Sequence, residues 1–119
     1  MIEFMPYILQ QVTNPMNILL LLAGNVVGMI FGAIPGLSGT LAVMLFMPLT
    51  YSMEAGAAIV FLLSLWVGGC SGAFIGSVLL GIPGSASAVA TCFDGYPMSK
   101  SGKAGKALAI GMMASFIGT

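Results

Sequence analysis

Charge is what this sequence has least of: 5% of its 119 residues are Asp, Glu, Lys or Arg. The six are Glu3, Glu54, Asp94, Lys100, Lys103 and Lys106, so residues 4–53 and 55–93 carry none. A soluble domain is about a quarter charged, and a run of about 18 apolar residues already suffices for a membrane span. A soluble enzyme and a disordered chain are therefore disfavoured. The net charge is zero, which gives no electrostatic reason to expect nucleic acid as a partner. Histidine is absent, and with it the commonest metal ligand and general base. Cys70 and Cys92 are the only cysteines. They form no four-ligand zinc pattern and no disulfide framework, and they read as small apolar residues. No Lys or Arg precedes Lys100, so the basic start of a signal peptide is missing. Targeting then falls to the first hydrophobic segment.

What is present is apolar surface and glycine. Hydrophobic residues make up 59% of the chain, and 17 residues are Gly. The ten Met read as flexible packing residues. Residues 1–16 look like a short interfacial lead-in, and Thr13 or Asn14 before Pro15 fits a capped helix start. Residues 17–34 would rise about 27 Å as a helix, close to a hydrocarbon core of about 30 Å. Pro35-Gly36 breaks it. Residues 38–51 resume helical character but are too short for a comfortable span. A single helix over 17–51 would be about 50 Å long, so the chain turns, ends a span early or re-enters. Residues 56–82 form a second span, ended by Pro83-Gly84, and residues 85–93 are a short apolar tail. Asp94-Gly95-Tyr96-Pro97 reads as a turn. Lys100, Lys103 and Lys106 follow at helical spacing, and the positive-inside rule puts their loop in the cytoplasm. Residues 107–119 stop in mid-span. The expectation is an all-α integral membrane protein, multi-span, with two Pro-Gly-broken helices. Residues 1–119 are then the N-terminal part of a larger transmembrane domain.

The break occurs twice. Residues 34–40 (IPGLSGT) recur as residues 82–88 (IPGSASA). A helix that starts inside a membrane leaves its first N–H groups without partners, and each unsatisfied group costs several kcal/mol in hydrocarbon. Such a start needs protein, a cavity or a ligand against it. Its dipole end attracts anions, and paired broken helices point to a transporter's binding site. A lone Pro-Gly is more often a kink. Two copies followed by hydroxyl residues favour a binding element of Pro35, Gly36, Ser38, Gly39, Thr40, Pro83, Gly84, Ser85, Ser87 and Thr91. Their hydroxyls suit carboxylate oxygens or a cation. A second pattern spaces Gly24, Gly28, Gly32 and Gly36 by four, and likewise Gly68, Gly72 and Gly76. Both sets read as helix-packing faces. Asn25 reads as an interhelical hydrogen-bonding residue, Asp94 as a turn residue before an ion-coupling carboxylate. The three Lys read as topology determinants. Gly102-Lys103 fails the phosphate-loop pattern, because Ala104 follows.

At these residues the sequence resembles the N-terminal part of the large membrane subunit of tripartite tricarboxylate transporters, the TctA family. The resemblance rests on residues 32–37 (GAIPGL), 67–72 (VGGCSG) and above all 82–91 (IPGSASAVAT), continuing through 94–98 (DGYPM) and 102–108 (GKAGKAL). It covers roughly residues 17–119. The sequence departs from the family pattern at Ser85-Ala86, often Thr-Pro, at Ser71, often aromatic, and at Lys106, often Arg. The resemblance implies a multi-pass permease of the bacterial inner membrane, several times this length. It implies work with a small membrane subunit and a periplasmic solute-binding protein, in uptake of citrate or related carboxylates. A Na+ or H+ gradient, not ATP, would drive it, and no other cofactor or metal is implied. Two other readings stay open. A small oligomeric four-helix exporter or pore would want a buried acid in a span, and Glu3 and Glu54 look peripheral. A non-transporting structural subunit would pack through the glycine ladders. An enzyme comes last, for want of a nucleophile motif or carboxylate pair.

Overall fold

The computed structural model describes residues 1–118, and among them there are helices and turns and no strand. Six helices follow one another: α1 (Met5–Thr13), α2 (Pro15–Ala33), α3 (Gly39–Thr50), α4 (Ala55–Leu80), α5 (Val89–Met98) and α6 (Ala104–Gly118). The lead-in is mostly helical, since α1 follows a short 3-10 turn, Ile2–Phe4. Asn14 takes the extended N-cap conformation and Pro15 the first helical position, which suits a residue without an N–H. The expected side-chain cap is not made. Asn14 makes no capping bond, and the Thr13 hydroxyl instead donates to the Leu9 carbonyl at 2.6 Å.

Two helices, α2 and α4, are long and apolar enough to cross a membrane, at about 28 and 39 Å. They pack in parallel. Along α2, Gly24 meets Phe61 and Ser64, Gly28 meets Leu65, Gly32 meets Gly69 and Ala73, and Ala33 meets Gly76. Both sequence numbers rise together, which only parallel helices allow. At the start of the pair, Gln11 of α1 lies against Gly56. Two parallel neighbours need a return path, and α3 supplies it. It begins with Gly39 against Trp66 and Gly69, near the middle of α4, and runs back to the turn before Ala55. Its Ala42 and Phe46 pack with Phe61 and Leu65 of α4 and Phe31 of α2, the ring pairs meeting edge to face at 6.0 Å.

After α4 the chain dips and rises again. Gly81 caps α4 in the left-handed conformation (φ 69°), with its N–H on the Ser77 carbonyl at 3.1 Å. The next residues return to the level of Ala73, where Gly84 packs. A 3-10 turn, Ala86–Ala88, leads into α5, whose Gly95 meets Val78 and whose Tyr96 meets Gly81. So α5 rises beside the last part of α4. The expected turn at Asp94-Gly95-Tyr96-Pro97 is helical, because close packing of Gly95 and Tyr96 on α4 outweighs the local turn signal. Pro97 removes only the donor to Phe93, one residue before the helix ends. The chain reverses later, at Gly102 (φ 83°) in the π-turn Ser99–Lys103. The three Lys therefore do not share one helix. Then α6 runs back along α4, with Gly111 on Phe74.

Large apolar residues cover the outside of this bundle as well as filling its small core. The residues of α2 that are buried are Asn17, Gly24, Gly28 and Gly32, while Ile18, Leu19, Leu22, Val26 and Ile30 face outward. In α4 the outward residues include Ile59, Leu63, Trp66 and Val67, and the buried ones are Phe61, Leu65, Ala73 and Val78 together with Ser64, Gly68, Gly69, Gly72, Gly76 and Ser77. So wide an outward apolar surface is not what water selects. The buried hydroxyls are satisfied within their own helix, Ser64 on the Phe61 carbonyl and Ser77 on the Ala73 carbonyl, both at 2.7 Å. That is what a backbone in hydrocarbon requires.

Candidate substrate-binding site

The first break is built from four residues. Ile34 leaves the helix in an extended conformation, Pro35 cannot donate, and Gly36 takes φ 87°. Nothing lies within 4 Å of the place where a Gly36 Cβ would sit, so this glycine serves backbone conformation and not space. The Leu37 N–H closes a turn on the Ile34 carbonyl at 3.1 Å. Ser38 then caps α3, its Oγ accepting from the Leu41 N–H at 3.3 Å. The N–H groups of Gly39 and Thr40 fall in the first turn, which has no intrahelical acceptor for them. Gly39 is buried against α4, Ser38 is half-buried, and Pro35, Gly36 and Thr40 are exposed.

The second break reaches a similar end by another route. Its left-handed residue is Gly81, before the proline, and Gly84 does not have a positive φ. Gly84 is needed for closeness: a Cβ there would lie 2.6 Å from the Gly32 carbonyl oxygen and 3.3 Å from the Ala73 Cβ. Ser85 takes the N-cap conformation but makes no cap bond. Its hydroxyl pairs with that of Ser87 at 3.0 Å. Pro83 and Ser85 are half-buried and Ser87 is exposed. Thr91 lies further on, half-buried in a groove of about 410 Å³ between α4, α5 and α6, whose lining includes Asp94 and Ser115. Thr91 thus sits in α5 proper, beyond the helix start that Ser85 and Ser87 form.

The two breaks reach adjacent turns of one helix. Gly39 rests on Gly69 and Gly84 on Ala73, four residues apart on α4. From that level α3 runs toward the start of α4 and α5 toward its end. Their N-terminal ends, the partly positive ends, point toward each other along α4. Gly32 lies between, close to both Gly69 and Gly84, so four backbone segments converge with almost no side chain among them. Every charged residue lies outside this level, since none occurs between Glu54 and Asp94.

The remaining candidates fall as follows. Gly24, Gly28, Gly32, Gly68, Gly72 and Gly76 are all buried at the α2–α4 contact. A Cβ on Gly28 would overlap the Leu65 carbonyl, one on Gly68 the Asn25 carbonyl and one on Gly72 the Met29 carbonyl. Gly36 is not a rung of that ladder, because α2 ends at Ala33. Asn25 is half-buried at the middle of α2, in a groove with Leu21, Val60, Leu63, Ser64 and Val67. Asp94 is exposed on α5. Lys100 and Lys103 lie in the π-turn and Lys106 at the start of α6, all exposed, with the Lys100 ammonium 5.3 Å from the centre of the Tyr96 ring. Sequence reasoning missed Gly69 as a contact residue. Its signal was the Gly68-Gly69 doublet, which puts glycine on two faces of α4, one toward Asn25 and one toward Gly39.

An outward face of large apolar residues, an inward face of glycine and serine and two helices long enough to span define a helical membrane protein. Residues 18–119 match the tripartite tricarboxylate transporter TctA family, and the chain belongs to it. The chain is 30% identical over 103 residues to an "uncharacterized 52.8 kDa protein in TAR-I ttuC' 3'region" of Agrobacterium vitis. That match takes in 87% of this chain and 20% of the relative, so the chain spans about a fifth of the length of the curated relative it matches. No solved structure matches.

Proposed function

We propose that this chain contributes the broken-helix region of a permease that takes up tricarboxylates or related carboxylates across the bacterial inner membrane. The permease works with a small membrane subunit and a periplasmic solute-binding protein, and a Na+ or H+ gradient drives it. Family membership supports the substrate class, and one observation carries the site: the two helix starts that converge on Gly69 and Ala73 of α4. Free N–H groups at α3, the hydroxyls of Ser38, Thr40, Ser85 and Ser87, and two dipole ends facing one level provide donors for carboxylate oxygens. The same hydroxyls and break carbonyls can coordinate a coupling cation. The chemistry these groups offer is binding and release of an ion.

The test is citrate uptake by cells producing the whole permease with its partner subunits. Gly36→Leu, where a side chain meets open space, should abolish uptake while the protein remains in the membrane at wild-type level, and Gly84→Leu, which also displaces packed backbone, should abolish it too. Normal uptake in both variants would overturn the binding-element reading. Collapsing the H+ gradient with a protonophore, against replacing Na+ with choline, identifies the coupling ion.

A further inference from the structure

We infer that the end of the bundle formed by α1, the start of α2 and the α3–α4 turn faces the outside of the cell, with the α5–α6 turn in the cytoplasm. Charge alone places only the Lys turn, because the sequence leaves open how many crossings separate it from the N-terminal end. The packing supplies the missing number. Parallel α2 and α4 start at one end of the bundle, where Gln11 of α1 touches Gly56. The α3–α4 turn is at that same end, because α3 returns to it. The π-turn lies at the other end, since Tyr96 packs on Gly81, just past the last residue of α4. Lys100, Lys103 and Lys106 gather at that second end, and residues 1–56, which supply the first end in this chain, include no Lys or Arg. The positive-inside bias counts Lys and Arg near span ends and gives little weight to acids. Glu3 and Glu54 at the first end therefore do not oppose the assignment.

The orientation gives each broken helix a side. The α3 helix fills the outer half beside α4, and α5 fills the cytoplasmic half. From the level of Gly69 and Ala73, α3 therefore lies toward the outside and α5 toward the cytoplasm. The inference rests on the membrane reading and not on the substrate, so failure of carboxylate uptake leaves it standing.

The test uses single-cysteine variants of the whole permease in intact cells, with Cys70, Cys92 and every cysteine beyond residue 119 replaced by Ser. Ser52→Cys reports on the α3–α4 turn and Ser101→Cys on the Lys turn, and both positions are exposed. A membrane-impermeant maleimide should label position 52 in intact cells and position 101 only after permeabilisation. Label at 101 in intact cells, or label at 52 only after permeabilisation, overturns the orientation. Glu3→Cys and Ser99→Cys form a second pair at the same two ends, and Ser99→Cys leaves all three Lys in place. They decide the matter if another subunit covers position 52 or 101.

Discussion

At the scale of single residues, the two Pro-Gly copies look alike in sequence and use their glycines for different reasons. Gly36 must hold φ 87° with open space around it, so an alanine there meets conformational strain alone. That strain is roughly 1–2 kcal/mol for an L residue in the left-handed region. Gly84 has no such dihedral, and its methyl group would press on the Gly32 carbonyl and Ala73. Backbone does not yield as a flexible side chain does, and overpacking of this kind costs about 1–3 kcal/mol and displaces the elements involved. Gly84→Ala should therefore lower stability more than Gly36→Ala, and should push the segment before α5 away from Gly32 of α2. Unfolding by SDS titration in mixed micelles, followed by circular dichroism, ranks the two. Equal losses, or a larger loss at Gly36, would remove the distinction. The sequence shows both glycines equally well. Which of them bends and which merely fits depends on Gly32, a residue about fifty positions away from Gly84 in the chain, and no local pattern contains that contact.

At the scale of elements, the glycine spacing did reveal the face of α2 and the face of α4 that meet. Periodicity identifies a face and leaves the neighbour and its direction open, so parallel packing was not legible. The helix limits near both breaks were legible, because Pro-Gly acts locally. The helix through Asp94, Gly95, Tyr96 and Pro97 was not, because a turn-like tetrad is held helical by contacts with Val78 and Gly81. For the α2–α4 pair the prediction is strict, since both helices present backbone at the contact. Gly28→Ala already puts a methyl group into the Leu65 carbonyl, so the helices must separate. The expected loss is about 1–3 kcal/mol in the same SDS titration. Gly105→Ala is the control, since no atom lies within 4 Å of a Cβ there. It should leave the transition unmoved or raise it slightly, as alanine favours a helix over glycine by about 1 kcal/mol. If Gly28→Ala behaves like Gly105→Ala, the two helices are not in backbone contact.

At the scale of the whole molecule, the direction of α2 relative to α4 decides everything that the breaks can do. Antiparallel helices would carry the first break to the start of α4, far from the second. Parallel helices bring both to its middle and upper turns, and α3 exists as the return path that makes this possible. A covalent measurement separates the two arrangements. Ala33 lies against Gly76, with its carbonyl oxygen 3.0 Å and its Cα 3.7 Å from the place of a Gly76 Cβ. That proximity suits a disulfide, whose Cα atoms are usually about 4.4–6.8 Å apart. In a protein otherwise free of cysteine, Ala33→Cys with Gly76→Cys should cross-link on mild oxidation in the membrane. Ala33→Cys with Ala58→Cys should not, because Ala58 is in the first turn of α4 at the opposite end of the bundle. A protease site placed in the turn before Ala55 makes the result readable: the two fragments stay joined without reductant only when the bond has formed. The reverse outcome, a bond from 33 to 58 and none from 33 to 76, would mean antiparallel helices. It would part the two helix starts by most of the length of α4, and a single carboxylate could no longer touch both.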